Sequence, residues 1–105
     1  MVTEQRGEQM KPSKLLARHR AAVRQIVERH HARNARIFGS ALHGEDTEES
    51  DLDILVDPTE ETTLFDLGAI QVELVELLGI EVDLLTPGSL PDRWKERVLS
   101  EARAI

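Results

Sequence analysis

The stretch that decides the fold is residues 36–56, RIFGSALHGEDTEESDLDILV. An apolar strand leads into Gly39-Ser40, and ten residues later Asp51-x-Asp53 opens a second apolar strand. Glycine lets the backbone approach a phosphate closely, and a serine hydroxyl and the backbone amides of a helix predicted to follow it bond phosphate oxygens. Carboxylates two residues apart on a strand point to the same side, where they can share a metal ion. The stretch therefore predicts a phosphate-binding turn beside a metal-binding strand.

Two strands of similar pattern extend this prediction into a sheet. Residues 51–57 and 80–85 each alternate between an apolar face and an acidic face, and Asp83 falls in phase with the acids of the first strand. Such strands are typical of a sheet covered by helices on one side and open on the other. Three carboxylates that converge on the open side repel one another unless a cation binds between them. Asp83 therefore joins Asp51 and Asp53 as a candidate ligand, whereas Asp57 and Glu81 are interpreted as solvated acids.

The remaining segments predict helices. Apolar spacing predicts one amphipathic helix from Ser13 to about His31. Thr63-x-x-Asp66 reads as a capping box for a helix that ends near Leu78, with Gly79 as its C-cap. Its core stripe is predicted to be Leu67, Ile70, Leu74 and Leu77, while Phe65, Val72 and Val75 are extra core or a partner surface.

A second capping box, Ser89-x-x-Asp92, predicts the last helix. Trp94, Val98 and Ala102 are predicted to pack it onto the domain, with coverage of a nucleobase as the alternative role of Trp94. Residues 44–50 are predicted to form a loop.

Length and composition exclude several classes of protein. A chain of 105 residues is expected to form one domain, here residues 13–105 preceded by a flexible segment, residues 1–12. The absence of cysteine excludes disulfides, thiolate catalysis and cysteine-type zinc sites. No stretch approaches the roughly 18 apolar residues of a membrane span, and the first residues lack a signal-peptide core. The expected location is the cytoplasm.

Charge is distributed unevenly along the chain. The net charge of -7 argues against direct binding of nucleic acid. Residues 1–36 hold nine Lys or Arg and three acids, whereas residues 37–91 hold fourteen acids and no Lys or Arg. The middle segment either forms a solvated acidic surface or lines a site for a triphosphate. In the second case, metal ions must neutralise the phosphates, helped by cations from the ends of the chain or from a partner.

Residues 36–56, with Asp83 downstream, resemble the polymerase-beta-like nucleotidyltransferase superfamily, and within it the minimal nucleotidyltransferases (MNT). The resemblance implies an α/β (α+β) fold with a small mixed sheet covered by helices on one face. It implies Mg²⁺, as two ions held by Asp51, Asp53 and Asp83, and ATP or another nucleoside triphosphate held by Gly39 and Ser40. Asp83 is also a candidate proton acceptor.

Many MNT proteins pair with a HEPN ribonuclease toxin, and characterised MNT antitoxins add AMP to a tyrosine near the toxin's catalytic residues. The resemblance thus implies a protein adenylyltransferase that acts as an antitoxin in a hetero-oligomer. A binding module that neutralises its partner by occlusion is the alternative. Transfer to a small molecule is disfavoured, because a single small domain has no second lobe to close over that substrate.

One position departs from the family pattern. Relatives commonly carry an arginine shortly after Gly-Ser, where this chain has His43. Histidine is largely neutral at pH 7, so His43 offers a phosphate less charge than arginine does. The departure predicts weaker or pH-dependent activity, unless His43 is simply a surface loop residue.

Overall fold

A four-stranded mixed sheet organises the protein, whose computed structural model describes residues 10–105. The strand order is β3-β2-β1-β4, with β1 antiparallel to both of its neighbours and β2 parallel to β3. The predicted α/β class and mixed sheet are confirmed. The elements are α1 (Pro12–Arg18), α2 (Arg20–Arg29), β1 (Ala32–Phe38), β2 (Leu52–Pro58), α3 (Leu64–Leu78), β3 (Val82–Leu85), a 3-10 turn (Pro87–Ser89), α4 (Asp92–Glu101) and β4 (Arg103–Ala104).

Helices α1, α2 and α3 cover one face of this sheet. Alternate residues of β2 point into that layer, so the predicted apolar face is confirmed. They pack against apolar residues of α2 and α3 in one core cluster, which includes Leu52, Ile54, Val56, Val23, Val27, Ile70 and Leu74, all fully buried. Burying such side chains contributes about 1.5–3 kcal/mol each, so this face fixes how the strands lie.

Helix α3 confirms its prediction at both ends. The Thr63 hydroxyl accepts a hydrogen bond from the Asp66 amide at 3.1 Å, and the Asp66 carboxylate accepts one from the Thr63 amide at 2.9 Å. Gly79 ends the helix with φ at 72°, in the left-handed region that favours glycine. Of the second stripe, Phe65 is 90% exposed and Val72 is 55% exposed. Extra core is therefore the wrong interpretation for these two residues.

The long helix predicted over residues 13–31 is two helices. The chain leaves helical geometry at His19, where φ is -123°, and α2 begins at the next residue. No proline or glycine lies at this break, so the apolar spacing alone predicted one continuous helix. Pro12 opens α1 and is buried.

The C-terminal part also differs from the prediction. Helix α4 begins at Asp92 with Pro91 at its N-cap, because Ser89 instead hydrogen-bonds Thr86 in the preceding 3-10 turn. No residue of α4 is buried, and Trp94 is 54% exposed, so its predicted packing role is wrong. The chain then forms β4, which was not predicted and which pairs with β1.

The N-terminal segment lies mostly beyond the range that the structure describes. The predicted flexible segment, residues 1–12, falls largely outside the described residues, which start at residue 10. Across residues 10–105, the helices are all too short or too polar to cross a membrane.

Candidate active site

The parallel pairing of β2 with β3 sets two of the predicted carboxylates side by side. Asp53 lies directly opposite Asp83 in the register, between the pairs Leu52–Val82 and Ile54–Leu84; Leu84 is half-buried and the other three residues are buried. Because alternate residues share a face, both carboxylates lie on the face away from α2 and α3. Asp53 and Asp83 therefore lie side by side on one face of the sheet, and their role as metal ligands stays a prediction.

This neighbourhood raises the pKa of Asp53 from 3.8 to about 6. Partial burial of the carboxyl is the largest cause, followed by repulsion from and hydrogen bonding to Asp83, with a smaller repulsion from Asp51. Two acids this close favour a state in which they share one proton, or a cation that replaces it. The strand pair thus holds negative charge at a cost in stability.

Gly39 is pressed against the same carboxylate. A Cβ added to Gly39 would lie 2.2 Å from Oδ2 of Asp53, and the residue has φ at +79°. A larger residue here would force the Asp53 side chain to move and would strain the backbone. The turn after β1 and the acid on β2 are therefore one packed unit.

The residues after Gly39 form a single turn rather than the helix whose amides were expected to help bind phosphate. The Leu42 amide donates to the Gly39 carbonyl at 3.1 Å, and the Glu45 amide donates to the Ser40 carbonyl at 2.9 Å. The buried Asp46 then ties the loop to α1, since its carboxylate accepts hydrogen bonds from the Ser13 amide and hydroxyl at 2.8 and 3.2 Å. The turn that carries Ser40 is held at both ends.

Asp51 precedes β2 and is exposed. It lies close enough to Asp53 to raise its pKa, but the carboxylates do not form a closed cage. Within residues 10–105, no three acidic or histidine side chains are gathered tightly enough to hold a metal ion by themselves. Mg²⁺ prefers oxygen ligands and keeps several from water or substrate phosphates. The paired carboxylates fit that ion once phosphate oxygens complete its shell.

A cavity of about 320 Å³ is lined in part by the same turn. We call it the α4 cavity, because α4 forms its outer wall. It brings together the turn, the loop that follows it and one side of the helix. Its lining residues are Phe38, Gly39, Ser40, His43, Glu45, Trp94, Arg97, Val98 and Glu101.

The carboxylate face of the sheet is less open than predicted. Leu55 shares that face but is fully buried, and the 3-10 turn lies against β2. Asp57 is not a solvated acid, because it forms an ion pair with Arg36 and accepts a hydrogen bond from Asn34 at 2.8 Å. Glu81 is exposed, as predicted.

Two arginines near the site were missed as site residues from the sequence. Arg36 occupies the carboxylate face with its side chain only 14% exposed, and Arg97 lines the α4 cavity. The alternation of β1 would have placed Arg36 on the face of Phe38. For Arg97 the available signal was its position on the polar side of an amphipathic helix, which does not reveal what that side faces.

Comparison with known proteins identifies the class. The family model described as nucleotidyltransferase domain matches residues 16–105. The chain therefore belongs to the nucleotidyltransferase domain family.

Sequence and structural similarity to individual proteins places the chain more narrowly within this family. The chain is 46% identical over 77 residues to MJ0435 of Methanocaldococcus jannaschii, a candidate protein adenylyltransferase, covering 73% of this chain and 83% of the relative. It is 38% identical over 81 residues to the protein adenylyltransferase MntA of Thermococcus cleftensis, covering 77% and 82%. A solved structure of a candidate minimal nucleotidyltransferase superposes with a TM-score of 0.80 at 39% identity, covering 94% and 98%. Within its family, the chain is thus a minimal nucleotidyltransferase.

A more distant neighbour shows the fold alone. A toxin–antitoxin crystal structure with AMP-PNP superposes with a TM-score of 0.64 at 17% identity, covering 89% of this chain and 71% of the other. The fold seen here therefore also occurs in that assembly.

Proposed function

We propose that this protein is an antitoxin that transfers AMP from ATP to a tyrosine hydroxyl of a cognate HEPN ribonuclease toxin and so neutralises it. The observation that carries the proposal is the pairing of Asp53 with Asp83 against Gly39. A fold that needed no cation here would gain stability by losing one of these acids. Two further findings support the proposal: relatives are named protein adenylyltransferases, and the fold occurs in a toxin–antitoxin structure.

The site residues divide the reaction between them. Asp51, Asp53 and Asp83 would hold Mg²⁺, as two ions, which when bound screens the triphosphate and lowers the pKa of the incoming hydroxyl. Gly39 and Ser40 orient the triphosphate so that its leaving group points away from the acceptor. The hydroxyl oxygen forms a bond to the α-phosphorus, the bond from that phosphorus to the bridging oxygen breaks, and pyrophosphate leaves. The exposed Asp83 takes the hydroxyl proton and passes it to water.

The setting follows from the partner. The proposal places the protein in the cytoplasm, in a hetero-oligomer with its toxin, with no direct contact to nucleic acid. The acidic middle segment, residues 37–91, suits docking of a basic toxin surface.

Mass spectrometry of the toxin tests the proposal. The toxin is incubated with this protein, Mg²⁺ and ATP, or each other nucleoside triphosphate in turn. We expect a mass increase of one or more AMP units on a tyrosine with ATP. Asp83→Asn should abolish the increase, whereas Glu81→Gln should retain it, because Glu81 is an exposed acid only two residues away that lies outside the paired carboxylates. An unmodified toxin that is nonetheless inhibited would refute the proposal.

One observation favours the occlusion alternative. His43 stands where family members commonly carry arginine, and its side chain contacts Glu101 at 3.3 Å. Under occlusion, Asp83→Asn would neutralise the toxin as fully as the unmodified protein does. The same variant therefore separates the two functions.

A further inference from the structure

We propose that the α4 cavity holds the terminal phosphates of the nucleotide and that Arg97 is the cation that binds them. This inference rests on the proposed function, because it assigns one end of the same nucleotide. It names a binding residue on α4, outside the segment that carries Gly39, Ser40 and the carboxylates.

Position is the first argument. Gly39 borders both the carboxylates and the α4 cavity: a Cβ on Gly39 would contact Asp53, and the cavity is lined by Gly39 and Ser40 but by none of the three carboxylates. A triphosphate whose α-phosphorus lies near the carboxylates must pass over this turn. Its terminal phosphates then reach the α4 cavity.

Size is the second argument. Sites for drug-sized ligands usually span about 300–1,000 Å³, and the α4 cavity is about 320 Å³. A cavity at the lower end of this range accommodates part of a nucleoside triphosphate rather than the whole molecule. The side chain best suited to hold a base is also engaged, because the Arg93 guanidinium lies 5.3 Å from the centre of the Trp94 ring. The phosphate end is therefore the better occupant.

Charge is the third argument. Residues 37–91 contain no Lys or Arg, so the turn and its loop have no permanent cation of their own. Among its charged and titratable lining residues, the α4 cavity has one arginine, Arg97, one histidine, His43, and two acids, Glu45 and Glu101. Arginine binds phosphate through two parallel hydrogen bonds and stays charged at any physiological pH. Arg97 is thus the permanent cation in the lining of this cavity.

The present partner of Arg97 holds it loosely. The Arg97 Nε donates to Glu101 at 3.4 Å, and the Arg97 side chain is 76% exposed. An exposed pair of this kind is worth little, so exchanging the carboxylate for a phosphate costs little. Glu101 also contacts His43 at 3.3 Å, so it contacts both of these cavity-lining groups.

Calorimetric titration of inorganic tripolyphosphate, in the presence of Mg²⁺, tests the assignment. We expect Arg97→Gln to weaken tripolyphosphate and AMP-PNP binding about tenfold or more. The matched control is Arg103→Gln, which changes an exposed arginine of β4 outside the cavity lining and should bind both within about twofold of wild type. Urea unfolding of both variants checks that the exposed substitutions leave the fold intact.

Three results would overturn the inference. The first is unchanged tripolyphosphate binding by Arg97→Gln, and the second is no tripolyphosphate binding by the wild type. The third is adenosine binding that Trp94→Ala abolishes, which would assign the cavity to the nucleoside end. AMP transfer to the toxin is measured separately: its absence, together with Arg97-dependent tripolyphosphate binding, would refute the proposed function and leave this site standing.

Discussion

Replacing Asp53 by asparagine should stabilise the metal-free protein at neutral pH. Asparagine keeps the shape of the protonated acid and can donate a hydrogen bond to Asp83, but it carries no charge. The pKa of Asp53 is about 6 in the folded protein and 3.8 as its ordinary value. The folded state therefore binds the proton more tightly than the unfolded state does, and the wild type loses stability as pH rises from about 4 to above 6.

The magnitude follows from the size of this pKa difference. A difference of about 2 units corresponds to about 3 kcal/mol, and since Asp53 is only half-buried, screening by water reduces it to about 1–1.5 kcal/mol. At pH 7.5 in EDTA, Asp53→Asn should be more stable than the wild type by this amount. A change of that size moves the melting temperature of a domain this small by roughly 4–10 °C. The gain should disappear towards pH 4.

Urea unfolding between pH 4 and pH 8 measures the effect. The control is Asp57→Asn on the same strand and face, which should lose about 1 kcal/mol because it removes the ion-pair partner of the largely buried Arg36. Two results would refute the conclusion that the charge on Asp53 destabilises this strand pair. One is an Asp53→Asn variant no more stable than the wild type at pH 7.5, and the other is a gain in stability that does not vary with pH.

Three more predictions concern the elements around the site. Gly39→Ala should destabilise the protein by more than Gly79→Ala, because both positions have positive φ but only Gly39 would place a Cβ 2.2 Å from another side chain. We expect a loss of about 1 kcal/mol for Gly79→Ala in urea unfolding. Equal losses for the two variants would contradict the packing at Gly39. Asp46→Ala should cost about 1–3 kcal/mol in urea unfolding, since it leaves the first turn of α1 without its buried acceptor, and a loss below 0.5 kcal/mol would argue against that role. Charge reversal of the exposed Glu48 and Glu49 should slow toxin association while sparing AMP-PNP binding, and an on-rate insensitive to both this change and salt would place docking elsewhere.

Elements whose ends are determined by neighbouring residues were predicted correctly from the sequence. The ends of α3 were predictable because a capping box and a left-handed glycine act within a few residues. The common face of Asp53 and Asp83 was predictable, because each acid alternates with apolar residues on its own strand. That the two acids lie directly opposite each other, however, depends on the register between β2 and β3, which neither strand's sequence determines alone.

Other features depend on tertiary contacts that a single segment does not reveal. The spacing of Trp94 and Val98 is the same whether the helix side faces a core or a cavity. Strand β4 has two residues and owes its form to pairing with β1. In β1, a bulge between Arg33 and Arg36, with Asn34 at φ 59°, shifts the alternation of side chains between the two faces. No proline or glycine in the sequence indicates this bulge.

The register of β2 and β3 also limits how the protein can be controlled. A slip of one residue between them would turn Asp83 towards α3 and expose Val82, so the two carboxylates separate only when the hydrophobic layer itself comes apart. The folded chain thus has no resting arrangement of this strand pair in which the acids are disengaged. Switching must come from outside the sheet, through the supply of nucleotide or through access of the acceptor side chain.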